Sequence, residues 1–134
     1  MDIYIDCEFN DFKGDLISMA LCAENGAEFY ECVPCETPSA WVTENVIPVL
    51  GKAPIEYTSL QSRLAQFLAQ FDSIHIVADW PEDLGHFCDA LIVGPGKRID
   101  TPPLTMEVLR IDSESDIPHN ALSDARAFRD EAMR

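Results

Sequence analysis

The chain is predicted to be an α/β protein: a mixed five-stranded sheet with helices on both faces. Three observations predict it. Short apolar runs, several with two-residue alternation, mark five strands. An Asn25-Gly26 turn between the second and third strands makes the first three an antiparallel meander. Beyond them, helical stripes alternate with strands, the pattern of a sheet covered by helices.

Residues 2–9 read as the first strand, followed by Asp15 to Ala23 and Ala27 to Val33. Pro34, Pro38, Pro48 and Pro54 punctuate the next stretch, with a short helix capped by Ser39 and ended near Pro48. Thr58 to Phe71 is an amphipathic helix, because Leu60, Leu64, Phe67, Leu68 and Phe71 share one stripe; Thr58 or Ser59 is its expected cap. Ser73 to Ala78 is a buried strand. Asp79 to Val93 follows as a helix, with Pro81 in its first turn and Asp79 and Glu82 at capping-box spacing. Gly94 to Arg98 is a loop, and Thr105 to Ile111 the last strand. His119 to Arg134 is a terminal helix with Leu122, Ala125 and Phe128 inward. No repeat or linker interrupts residues 1–134, so a single domain is expected.

The composition narrows the function. Apolar residues make up 47%, enough for a core, and no apolar run approaches the ~18 residues of a membrane span. No basic, apolar and small-residue leader is present at the N-terminus, so a cytoplasmic location is expected. The net charge of −15 disfavours binding along a long duplex; any nucleic-acid work must be local, metal-assisted, or confined to short ends. Five cysteines, an odd count, are expected as thiols. Cys32 and Cys35 form a lone C-x-x-C with no second half for a zinc site, and two thiols near a strand end is the preferred reading. His75 is expected in the core and His86 on a solvated helix face.

One stretch resists a purely structural reading. In "DCEF" the first strand carries Asp6 and Glu8, whose side chains point to the same face. Two carboxylates on a half-buried strand repel each other and resist desolvation. Hard divalent cations between them reverse that cost, since Mg²⁺ and Mn²⁺ prefer oxygen ligands. Asp83, just inside the helix after "HIVA", and Asp124, five positions after His119, are the candidates to complete the set. Four carboxylates would balance two divalent cations, and a nearby histidine could accept a proton from an attacking water.

These residues resemble the DEDD exonucleases. "DCEFN" is similar to that family's first D-x-E motif, "IVADWPEDL" to its second, and "HNALSDA" to the H-x-x-x-x-D motif of the DEDDh branch. The motifs stand in family order and span residues 6 to 124. The resemblance implies an RNase H-like fold and a 3′-to-5′ exonuclease releasing nucleoside 5′-monophosphates with two Mg²⁺ or Mn²⁺ ions. It implies Asp6, Glu8, Asp83 and Asp124 as metal ligands and His119 as general base. Where many members carry His-Asn, this chain has Ala78-Asp79, leaving Asp79 as the rival of Asp83. Phe9 and Trp80 flank the carboxylates and are candidates to stack on a terminal base, with core packing the competing role. Lys97 and Arg98 are candidates for phosphate contact or, preferred, a solvated loop tip.

The expected substrates are 3′ ends of single-stranded RNA, favoured, or DNA, with no membrane partner and a homodimer left open. The competing readings are a catalytically silent interaction domain and an endonuclease on the same fold.

Overall fold

The computed structural model describes residues 1–134. Five strands form one mixed sheet in the order β3-β2-β1-β4-β7. Strands β1 (Asp2–Phe9), β2 (Leu16–Ala23) and β3 (Glu28–Cys32) are the antiparallel meander. The β2–β3 turn closes as its Asn-Gly predicts, with Gly26 at φ +93°. On the other side of β1, β4 (Ile74–Ala78) and β7 (Leu104–Val108) run parallel to it. The α/β architecture and its five strands are therefore as expected from the sequence. No helix is long and apolar enough to cross a membrane.

Alternation along the strands sorts side chains into two layers. Ile3, Ile5 and Cys7 of β1 join Met19, Leu21, Ile74 and Ile76 in the larger core. Helices α2 (Tyr57–Leu68) and α3 (Pro81–Leu91) cover it with Leu60, Leu64, Leu68, Phe87 and Ala90. On the opposite face, Ala20 and Cys22 meet Ala121 and Ala125 of α4 (Ala121–Ala132), while Tyr4 and Val77 meet Phe128. Tyr4 and Phe128 pack edge to face at 5.4 Å, a favoured aromatic geometry. Asp6 and Glu8 have the parity of Tyr4, so they open toward α4.

An irregularity in the β1–β2 register, between Glu8 and Phe9, shifts the alternation. Leu16 thereby joins the larger core, and Ile17 packs on Val42 and Val46 at the helix α1 (Ala40–Asn45). The β1–β2 loop that follows is tight. A Cβ on Gly14 would stand 1.7 Å from the Asn10 carbonyl oxygen, so only glycine fits. The Asn10 side chain donates to the Thr37 carbonyl at 3.0 Å and accepts from the Ser39 N–H at 2.9 Å, tying this loop to α1.

Several local expectations are corrected. Ser39 caps α1 as expected, but α2 starts after Glu56 and neither Thr58 nor Ser59 caps it. Trp80, not Asp79, precedes α3, and Glu82 accepts from the Trp80 indole N–H at 3.0 Å instead of closing a capping box. Helix α3 ends at Leu91, because Ile92–Gly94 and Lys97–Arg98 form a small hairpin, β5 and β6. Leu122 is only partly buried; Ala121 takes the inward position. His75 is not a core residue: it sits beside β7, with Nε2 2.9 Å from a Glu107 carboxylate oxygen. His86 is not simply solvated, because its ring lies 4.9 Å from that of Phe9 and burial lowers its pKa.

Candidate carboxylate site

The carboxylates gather where the parallel strands end. Ile5 pairs with Ala78, so Asp6 and Asp79 are the next residues along two neighbouring strands. Helix α4 crosses this end of the sheet and carries Asp124 in its first turn. One oxygen each from Asp6, Glu8 and Asp124 lies within 4.8 Å of the others. The sequence separation is more than a hundred residues; the crossing of α4 over β1 removes it.

Asp83 approaches from the other layer. It stands in the first turn of α3, only 3% exposed, over the end of β1, where the Cys7 thiol lies 3.9 Å from its backbone carbonyl. It is not one of the three whose oxygens converge. Asp79 instead faces an open groove of about 530 Å³, lined also by Asp6, Asp124, His119 and Glu114. The two rivals of the second motif thus have different surroundings: Asp83 is buried behind Asp6, and Asp79 shares the open groove with it.

The electrostatics match such crowding. Burial raises the Asp6 carboxyl well above its ordinary range, and Asp83, Glu8, Asp124 and Asp79 raise it further. Burial, then Asp124, pushes Glu8 up to about 8. Burial also pushes Asp83 up to about 8, opposed by a Cys7 backbone hydrogen bond and reinforced by Asp79. Like charges in a desolvated site cannot all ionise, so protons occupy it unless cations do. Oδ2 of Asp6 is sheltered from solvent and has no hydrogen-bond partner, a state that normally demands one. Hard oxygen donors, one of them unsatisfied, fit a Mg²⁺ or Mn²⁺ ion.

His119 owes its placement to a tight turn. Asn120 N–H donates to the Ile117 carbonyl at 3.1 Å, closing a turn with Pro118 and His119 at its centre. Pro118 presets the first central position, and His119 takes φ +71° at the second, where glycine is usual. That conformation costs a non-glycine residue on the order of 1–2 kcal/mol. Its N–H donates to Asp124 Oδ2 at 3.2 Å, which fixes the turn to the carboxylates. Its ring stands edge-on to Trp41 of α1, centroids 4.9 Å apart.

Three neighbours reach the site only through the fold: Trp41, Asn120 and Arg110. Trp41 lies in the short helix that Ser39 caps, and nothing in its spacing marks it as a partner of His119. Asn120 caps α4 by accepting from Ser123 N–H at 2.9 Å and donates to the Val49 carbonyl at 2.8 Å, so it locks α4 against the segment after α1. Its place just before an apolar-periodic stretch was the available signal. Arg110 follows β7 and therefore reaches the same sheet end, with Nε 3.3 Å from Asp79 Oδ1. Of the two stacking candidates, Trp80 is 47% exposed, while Phe9 packs against the larger core. Lys97 and Arg98 lie on the far hairpin, because α3 runs back from the carboxylate end before β5 and β6 begin. All five cysteines are free thiols, Cys32 buried and Cys35 half-buried.

Compared with known proteins, the chain matches no family model and no curated protein sequence.

Proposed function

We propose that this chain is a metal-dependent 3′-to-5′ exonuclease of the DEDDh type on an RNase H-like fold, acting on single-stranded RNA ends in preference to DNA. The observation that carries the reading is the convergence of Asp6, Glu8 and Asp124 within 4.8 Å around a sheltered, unpartnered Asp6 oxygen. The sheet order, with an antiparallel meander on one side of β1 and parallel strands on the other, is compatible with that fold.

Asp6, Glu8 and Asp124 would hold one divalent cation, and Asp6 with Asp83 a second. Bound there, the cations would neutralise phosphate charge and acidify an attacking water. His119 would accept the proton of that water at a ring nitrogen, since it lines the same groove as Asp6 and Asp124. The groove is open, so a flexible strand end can enter, whereas a −15 surface repels a long duplex. Trp80, 47% exposed and next to Asp79 in the chain, would offer the indole face that Arg110 leaves uncovered to a base without sequence preference.

The test is direct. A 5′-labelled single strand incubated with the protein and Mn²⁺ should yield a one-nucleotide ladder and nucleoside 5′-monophosphates. Cutting of a circular strand would assign an endonuclease instead. A folded protein that leaves both substrates intact would indicate a silent interaction domain.

A further inference from the structure

The proposed substrate is a polyanion, and the chain has nine basic residues to meet it. Most are engaged elsewhere. Lys52 and Arg63 flank the buried Glu31 at 3.0 and 2.9 Å. Arg126 grips Glu28 with two hydrogen bonds of 2.6 and 2.8 Å, Arg129 also approaches Glu28, and Arg134 pairs with Glu131. Lys97 and Arg98 are at the far end of the sheet, and Lys13 lines a different groove with Asp15, His86 and Asp89.

Arg110 is different in kind. It is 62% exposed at the carboxylate end of the sheet, because Leu109 N–H still bonds the Ala78 carbonyl at 2.8 Å and brings the chain level with Asp79. Its Nε lies 3.3 Å from Asp79 Oδ1, yet that oxygen has no hydrogen-bond partner: the pair is an unaligned charge contact. None of its side-chain donors is used by the fold. Its guanidinium lies over the Trp80 indole, 5.2 Å from the ring centroid, which holds the fork in place without consuming its donors. A preorganised guanidinium with free N–H groups beside an anionic groove is suited to bidentate phosphate recognition.

We propose that Arg110, held on Trp80, contacts a backbone phosphate of the bound single strand and is the chain's main cationic substrate contact. This rests on the exonuclease reading. Asp79 keeps the guanidinium at the rim in the free protein, and the phosphate replaces that unaligned contact with aligned hydrogen bonds.

Steady-state trimming of a labelled single strand with Mn²⁺, at several salt concentrations, tests it in wild type, Arg110→Ala, Arg110→Lys and the double variant Asp79→Asn/Arg110→Ala. Arg110→Ala should raise KM about tenfold or more, as expected for one lost charged hydrogen-bond pair, with kcat nearly unchanged. The slope of log KM against log salt should shrink by about 0.7, the signature of one lost single-strand phosphate contact. Arg110→Lys should keep the slope but recover only part of the KM. The double variant should remain weak. If it instead regains the wild-type KM, Arg110 merely neutralises Asp79 and the proposal is overturned. Unchanged KM and slope in Arg110→Ala, with wild type still trimming, overturn Arg110 alone. A wild type that produces no ladder removes both readings. Melting temperatures close to that of wild type, expected for an exposed side chain without hydrogen bonds, show that the variants fold.

Discussion

Replacing Asp83 by Asn should stabilise the metal-free protein at alkaline pH and leave it nearly unchanged in mild acid. Asp83 is buried, and its pKa rises from near 3.8 to about 8 on folding. The folded chain therefore holds this proton more tightly than the unfolded chain. The stabilisation is fully present below pH ~4 and is lost as pH climbs through about 8. A rise of roughly four pH units at 1.36 kcal/mol each sets an upper value on the order of 5 kcal/mol. Asp6 and Glu8 share the same repulsion, so protonating any one relieves the others. The share that falls to Asp83 alone is therefore smaller than that upper value. Asparagine has the same shape, carries no charge, and its amide oxygen can still accept the Cys7 backbone hydrogen bond. Melting in EDTA between pH 5 and pH 9 should show a gap between variant and wild type that opens with pH. It should reach on the order of 10 °C for a chain of this size. Adding Mn²⁺ at pH 8 should raise the wild-type melting temperature and raise that of Asp83→Asn less. A gap that stays constant from pH 5 to pH 9 would refute the idea that a buried, protonated carboxyl sits behind Asp6.

Three further outcomes are expected. His119→Ala should cost about 10²–10⁴ in kcat if the ring is the base, while His119→Gly should be equally slow yet more stable by about 1 kcal/mol, because glycine relieves the φ of +71°; a full-rate variant removes His119 from the mechanism. Asn120→Ala should lower stability by roughly 2 kcal/mol, combining a lost cap with a lost bond to Val49, measured by urea unfolding. Phe87→Ala, at a fully buried site of the larger core, should cost about 3–5 kcal/mol by the same assay, and a loss below 1 kcal/mol would contradict the packing of α3 on the sheet.

Local chemistry made much of the fold legible. The Asn25-Gly26 turn, the Leu60–Leu64–Phe67–Leu68 stripe and the Ser39 cap each rest on neighbours within a few residues, and each stands where its pattern places it. Helix ends were less legible. Trp80 takes the position that the Asp79–Glu82 spacing assigns to Asp79, since Glu82 finds the Trp80 indole and the Lys13 backbone N–H as partners from the fold. The small β5–β6 hairpin was hidden because Ile92 and Val93 continue the apolar run of α3.

The same division runs through the site. By itself, the sequence determined that Asp6 and Glu8 share one face of a strand, because side-chain alternation is a property of the local backbone. It also placed His119 and Asp124 a fixed five positions apart. Only the tertiary structure decided that α4 crosses β1 and closes Asp6, Glu8 and Asp124 to within 4.8 Å. It alone separated Asp83 from Asp79, burying one behind Asp6 and turning the other toward the open groove beside Arg110. The physical reason is that burial and charge proximity depend on which layers stack at the sheet end, and no spacing along one chain encodes that distance.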